Sequence, residues 1–193
     1  ETYEDKFKLP HGAEKERQIK LRQVLNRWLE YYHNMGDELF VYHKNPDKRF
    51  IDIFTPPVLR EKAVEEVQVL SGNKILDRNK FPDLYDSNKN YIVFGKDKSG
   101  KSALLVYLAI KYLQHFHNER VIPIYIDLAK YKLSIDNFKI PRIIKTQLEC
   151  SYSKVKQLSE QYNFRLLFDN FDPSNALIAN ELSNFFSEYS CSY

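Results

Sequence analysis

The sequence predicts an α/β fold of the three-layer kind. Its core would be a mostly parallel sheet with helices on both faces, preceded by a helical segment and a small extended linker. Three observations point there. From residue 91 onward, short β-prone apolar runs alternate with amphipathic stretches, as in βαβ units. Two of those runs, VIPIYIDL (121–128) and FRLLFD (164–169), are nearly continuous in apolar residues, as strands covered on both faces are. The first run, Tyr91–Phe94, leads into a helical stretch through a loop bracketed by glycines, in a chain with only five of them. With 193 residues, 43% hydrophobic and 28% charged, the chain can build one sizeable core plus a smaller attachment. The expected division is 1–49 as N-terminal helix and linker and 50–193 as the α/β domain, incomplete on its C-terminal side.

Residues 1–12 are polar and end in a loop at Leu9-Pro10-His11-Gly12. From Ala13 to His33, Leu21, Val24, Leu25, Trp28, Leu29 and Tyr32 recur at helical spacing, and Gly36 is a plausible stop. This helix either docks on the body of the protein or links it to an upstream domain. Glu38–His43 reads as a short strand, 45–48 as a turn, and Arg49–Phe54 as a second strand that Thr55-Pro56-Pro57 ends. Glu61–Leu70 fits a short helix or a charged strand. Residues 71–90 are loop-rich, with one helical turn at Ile75–Asn79. A helix should run from Ser102 to about His117, burying Leu105, Leu108, Tyr112 and Phe116. Pro123 suggests an edge or early position in the next strand. Asp136 is a candidate cap for a helix containing Phe138, Ile140, Ile143, Ile144 and Leu148, with Pro141 confined to its first turn. Ser153–Tyr162 reads as a Ser-capped helix and Asn175–Tyr189 as a last amphipathic one.

Strand, Gly95-Lys96-Asp97-Lys98-Ser99-Gly100-Lys101-Ser102, helix is the phosphate-binding P-loop in its proper context. Gly95 and Gly100 reach backbone angles closed to other residues, so the chain can wrap a phosphate closely. The loop amides form an anion nest, and the helix adds its positive dipole end. Lys101 would reach the β- and γ-phosphates and Ser102 would hold Mg²⁺. Lys96 and Lys98 add to the phosphate field, and Asp97 and Ser99 complete the loop. A carboxylate ending a hydrophobic strand supplies the other metal contact in such proteins, and Asp169 fits that role. Asp172 has two readings, orienting the attacking water or capping the next helix. Asp127 is a strand-end acid of the kind that usually serves as a cap. The stretch Ile51–Leu59 would serve as a rigid wall against an adenine ring or as a plain connector.

Other classes are disfavoured. A balance of 29 basic and 26 acidic residues does not indicate nucleic acid. No apolar run has membrane-spanning length. Cys150 and Cys191 have no metal or disulfide-framework spacing, and His115 and His117 fall on different helix faces. A reduced, cytoplasmic protein is expected, and Glu1 suggests a piece of a longer chain.

GKDKSGKS, PIYIDL and LLFDNFD together resemble the NACHT-like STAND NTPases, signalling relatives of the AAA+ ATPases. IDIFTPPVLRE is similar to an element that precedes their nucleotide domain. The resemblance, over roughly Phe50–Tyr189, implies an ATP/ADP switch with Mg²⁺ as cofactor. It also implies effector and sensor domains in the same longer chain, and homo-oligomerisation when ATP replaces ADP, in bacteria often for defence against phage. By position, Gly95, Gly100, Lys101 and Ser102 would match the phosphate loop, Asp169 the Mg²⁺ aspartate and Asp172 the second acid, so that Lys101 and Asp172 are the catalytic candidates. Pro173 stands where many relatives place a further acid, which implies slow hydrolysis. The family's strand order puts a later strand between the P-loop strand and the Asp169 strand. A P-loop small-molecule kinase and a non-hydrolysing nucleotide clamp remain open, as does adenine against guanine.

Overall fold

The computed structural model describes residues 12–39, 48–55, 60–61, 74–75, 93, 96, 98–131, 138–172 and 175–189. The apolar stripe near the N-terminus forms helix α1 (Gly12–Leu39). Val24, Leu25 and Tyr32 are buried, and Leu21, Trp28, Leu29 and Met35 pack beside them in the common core. The helix continues through Gly36, so Glu38 and Leu39 are helical and not the start of a strand. Gly36 is there for closeness: a Cβ on it would meet the Phe50 ring at 2.5 and 2.6 Å. The rest of that expected strand and the following turn lie largely outside the described residues.

Arg49–Phe54, expected to be extended, instead contains a single helical turn, α2 (Phe50–Ile53). Side-chain acceptors at its start decide this, since they satisfy amides that a helix leaves open. The Phe50 amide donates to Asp37 Oδ1 at 2.7 Å and the Arg49 amide to Asp52 Oδ2 at 3.1 Å. Phe50 is fully buried on Gly36, and the Phe54 ring lies 5.0 Å from that of Tyr107. Within IDIFTPPVL, Phe54 thus packs on Tyr107, and 56–59 lie outside the described residues. Two short strands follow, β1 (Arg60–Glu61) and β2 (Lys74–Ile75), paired antiparallel. Ile75 is thus extended where a helical turn was expected to begin.

The helix that follows the glycine-bracketed loop, α3 (Lys101–Gln114), breaks at His115 before a last turn, α4 (Phe116–Glu119). Its buried residues are not a stripe. Leu104, Val106, Ala109, Ile110 and Tyr112 are all nearly inaccessible, whereas Leu105 is half-buried. The cause is cover on both sides, with α1 on one and the sheet on the other.

Strand β3 (Val121–Asp127) pairs in parallel with β4 (Asn163–Asp169), Val121 facing Asn163 and Asp127 facing Asp169. Between them run α5 (Ile140–Gln147) and α6 (Tyr152–Gln161), the crossover that parallel strands require. Phe138, Ile140, Ile143, Ile144 and Leu148 are all buried and Pro141 sits in the first turn of α5, as expected. The α6 cap is Ser151, whose Oγ accepts from the Lys154 amide, two residues before the expected Ser153. Asp136 lies outside the described residues. The last helix, α7 (Ala176–Tyr189), sends the buried Glu181 carboxylate to the Ile140 amide at 3.0 Å and to Lys139 Nζ at 3.1 Å. Gln147 ties α5 to its neighbours: its side-chain amide donates to the Tyr125 carbonyl at 2.7 Å, and its own carbonyl accepts from Trp28 Nε1 at 2.6 Å. The described residues therefore form a mixed α/β structure around one parallel strand pair.

Two tests follow from the α1–α2 contact. Helix propensity alone would make Gly36→Ala stabilising by about 1 kcal/mol. Overlap with a fully buried ring costs about 1–3 kcal/mol, so a net loss of stability is expected in thermal melts. Shrinking the ring with Phe50→Leu should relieve part of that loss, and an unchanged or raised melting temperature in Gly36→Ala would refute the close contact. His33 is buried with no hydrogen-bond partner for Nδ1 among the described residues. Burial holds its imidazole below the usual range, helped by Arg49 and opposed by Glu30, Asp37 and Asp52. Its unfolded form binds the proton more readily, so its contribution to stability is present above about pH 6.5 and is lost as pH falls below that. Urea unfolding at pH 7 and pH 5 should show a smaller acid loss in His33→Gln than in the parent; equal losses would exclude His33.

Candidate functional site

The second half of the glycine-bracketed loop makes a tight turn. The Ser99 amide donates to the Lys96 carbonyl at 3.2 Å, and both Lys98 (φ 58°) and Gly100 (φ 86°) are left-handed. For Lys98 this conformation costs about 1–2 kcal/mol. Gly100 adopts it freely, and nothing within 4 Å would touch a Cβ there, so the glycine answers to the backbone angle alone. Gly100 also occupies the N-cap of α3, where a glycine offers no side chain to the first-turn amides.

Lys101 opens α3, and its ammonium turns back across the loop. It donates to the Lys96 carbonyl at 2.8 Å and lies 3.5 Å from Ser99 Oγ. Lys101 and Ser102 are half-buried, whereas Lys96, Lys98 and Ser99 are exposed. Gly95, Asp97 and the rest of the expected strand 91–94 lie outside the described residues. Val93, the described residue of that strand, is half-buried against the core and is not in a strand.

Helix α3 and strand β3 are each about 20 Å long, are joined through residues 115–120, and pack side by side. At the joined end, the Arg120 carbonyl accepts from the Asn163 amide at 2.9 Å. The helix must therefore run back along the sheet, which puts Gly100–Ser102 toward the carboxyl ends of β3 and β4. Those ends carry Asp127 and Asp169 as a level pair. The carboxyl edge of parallel strands is where α/β folds place ligands.

Asp169 is buried, and both its oxygens accept hydrogen bonds. Tyr125 Oη donates to Oδ2 at 2.7 Å and the Asn170 amide donates to Oδ1 at 3.0 Å. Burial first, and then Asp169 itself, raise the Tyr125 pKa, so the phenol stays a donor. Asn170 is left-handed (φ 55°) and its side-chain amide donates to Asp127 Oδ1 at 2.8 Å. Asp127 Oδ1 also accepts from the Ala129 amide at 3.1 Å, the capping role expected of it. Asp172 is exposed and its carbonyl accepts from the Asn175 amide. The side-chain cap on α7 comes from Asn175, whose Oδ1 accepts from the Leu177 amide at 3.1 Å. Pro173 and Ser174 lie outside the described residues.

Tyr125 and Asn170 escape a reading of the sequence. Their signals, a tyrosine among the isoleucines of VIPIYIDL and an Asn after the strand-end acid, acquire meaning only once the β3–β4 register is known. Among the described residues no three His, Cys, Asp or Glu side chains converge on a metal position. Mg²⁺ held through one hydroxyl, one carboxylate and phosphate oxygens needs no such cluster. No described helix is long and apolar enough to cross a membrane. Comparison of the chain with protein-family models, characterised proteins and solved structures finds no match.

The Gly100 backbone gives a clean test. Gly100→Ala should lower stability by about 1–2 kcal/mol through its left-handed angle, read as a fall in urea midpoint, while a D-alanine introduced at the same position should not. Equal losses from both would mean that space, not backbone angle, selects glycine.

Proposed function

We propose that this chain carries the nucleotide-binding part of a NACHT-like STAND NTPase, an ATP/ADP switch with slow Mg²⁺-dependent hydrolysis. The observation that carries this reading is the convergence of Gly100-Lys101-Ser102 and the buried Asp169 toward one edge of a parallel strand pair. A bare strand-end aspartate or a lysine-rich turn alone would support much less. The full three-layer P-loop sheet is part of the proposal.

The donor set suits a hard cation and a polyphosphate. Loop amides, the α3 dipole and the Lys101 ammonium offer positive charge, while Ser102 and Asp169 offer only oxygen to a metal. Mg²⁺ held by Ser102 and Asp169 would supply positive charge against the negative charge of the phosphates. Lys101 would leave the Lys96 carbonyl for the phosphates, exchanging a neutral acceptor for an anionic one. Ser102 and Asp169 would hold the metal side in place, and Asp172 would orient water. Catalysis of this kind is mostly positioning and electrostatics. In this reading ADP keeps the protein closed, ATP releases it for homo-oligomerisation, and effector and sensor functions belong to further parts of the same protein.

The test is nucleotide binding and turnover by the full chain with Mg²⁺, beside Lys101→Ala and Asp169→Ala. Loss of a charged hydrogen-bond donor should weaken ADP and ATP by about 10- to 100-fold in Lys101→Ala. Asp169→Ala should bind nucleotide but lose its response to Mg²⁺. Unchanged affinity in Lys101→Ala would sink the proposal. Binding without turnover in the parent would turn it into a nucleotide clamp, and stoichiometric phosphorylation of a small molecule would turn it into a kinase.

A further inference from the structure

We propose that Tyr125 is a positioning residue for Asp169, its hydroxyl fixing how the carboxylate presents itself to a nucleotide-bound cation. The inference rests on the reading of Asp169 as the acid of a nucleotide–metal site, and its geometry is independent of that reading. Tyr125 stands opposite Leu167, and Asp127 opposite Asp169. Side chains alternate across a sheet, so Tyr125 and Asp169 share one face, with Tyr125 two residues nearer the amino ends. A phenol spans that diagonal, and Tyr125 Oη reaches Asp169 Oδ2 at 2.7 Å.

The carboxylate is then gripped from two sides. The Asn170 amide holds Oδ1 and Tyr125 holds Oδ2, so rotation of the group would break two hydrogen bonds at a buried site. Each oxygen keeps a second lone-pair direction for another partner. Tyr125 is itself fixed. Its side chain is buried, its ring lies 6.1 Å from that of Tyr32 on α1, and its carbonyl accepts from Gln147. The adjacent Ile124 and Ile126 lie on the opposite face and fill space without a polar atom, whereas Tyr125 fills space and places a donor on the face of Asp169. A donor aimed at a metal-bearing carboxylate sets its orientation, and outer partners of this kind matter to metal affinity.

Mg²⁺ dependence separates this role from simple satisfaction of a buried acid. The experiment measures binding of a fluorescent N-methylanthraniloyl-ADP to the full chain, in EDTA and across a Mg²⁺ titration. Tyr125→Phe keeps the ring and removes the hydroxyl. Binding in EDTA should stay within about twofold of the parent, while the Mg²⁺ needed for half-maximal effect should rise about tenfold. Asp169→Asn serves as the reference. If it raises the Mg²⁺ requirement and Tyr125→Phe does not, the positioning role is wrong and the site reading stands. If neither changes it, the site reading itself fails. A lower melting temperature with an unaltered Mg²⁺ requirement would make the hydroxyl purely structural and overturn the inference. Should Tyr125→Phe not fold, 3,5-difluorotyrosine at position 125 keeps the shape and makes the hydroxyl a stronger donor. A shifted Mg²⁺ requirement is expected there too, and no shift would overturn the inference.

Discussion

The in-register parallel pairing of β3 with β4 is the constraint on which the rest depends. It sets Asp127 level with Asp169 and puts Tyr125 one diagonal away from the acid. Because side chains alternate, a slip of one residue would turn Asp169 to the other face and bring a different set toward Tyr125. The register is defended by burial: Ile122, Ile124 and Ile126 are almost inaccessible, and Leu167 is buried opposite Tyr125. The arrangement of polar groups at the carboxyl edge is thus set by apolar packing along the strands below it.

Helix α3 transmits that order to the loop. Covered by α1 on one side and by the sheet on the other, it has little freedom to rotate or slide, and its first turn carries Lys101 and Ser102. Helix α1 is in turn locked by a network that crosses the fold. Trp28 donates to the Gln147 carbonyl, the Tyr32 ring packs tilted against that of Tyr125, and Gly36 seats Phe50. The exposed ion pairs Arg27–Glu149 and Arg49–Glu30 lie along the same contacts, but pairs so open to solvent contribute about 0–1 kcal/mol. Apolar contact and buried hydrogen bonds hold α1, and through it the loop helix.

Much of this was legible in the sequence where periodicity and local chemistry agree. The α1 stripe, the buried set of α5 and the strands ending in Asp127 and Asp169 follow from spacing and composition. The departures have physical causes. Gly36 reads as a stop because glycine usually ends helices, yet here it makes room for Phe50. Arg49–Phe54 alternates like a strand, but the acceptors Asp37 and Asp52 close a helical turn, and Asp37 lies outside the local pattern. The all-round burial of α3 needs knowledge of what lies on both of its sides. At the candidate site, Lys101, Ser102 and Asp169 stand out by type and placement, whereas Tyr125 and Asn170 depend on partners 44 and 43 residues away.

The cap on α5 has a consequence for how the chain acquires its structure. The acceptor for the Ile140 amide is Glu181, which arrives 41 residues later in the polypeptide. Synthesised from its N-terminus, the chain exposes α5 before α6, β4 and most of α7 exist, and the Ile140 amide must be solvated in the meantime. Contacts of such sequence separation form late, because the intervening loop must be closed first. The first turn of α5 is therefore completed from a distant part of the chain, and its leading amide gains its protein acceptor only when α7 docks.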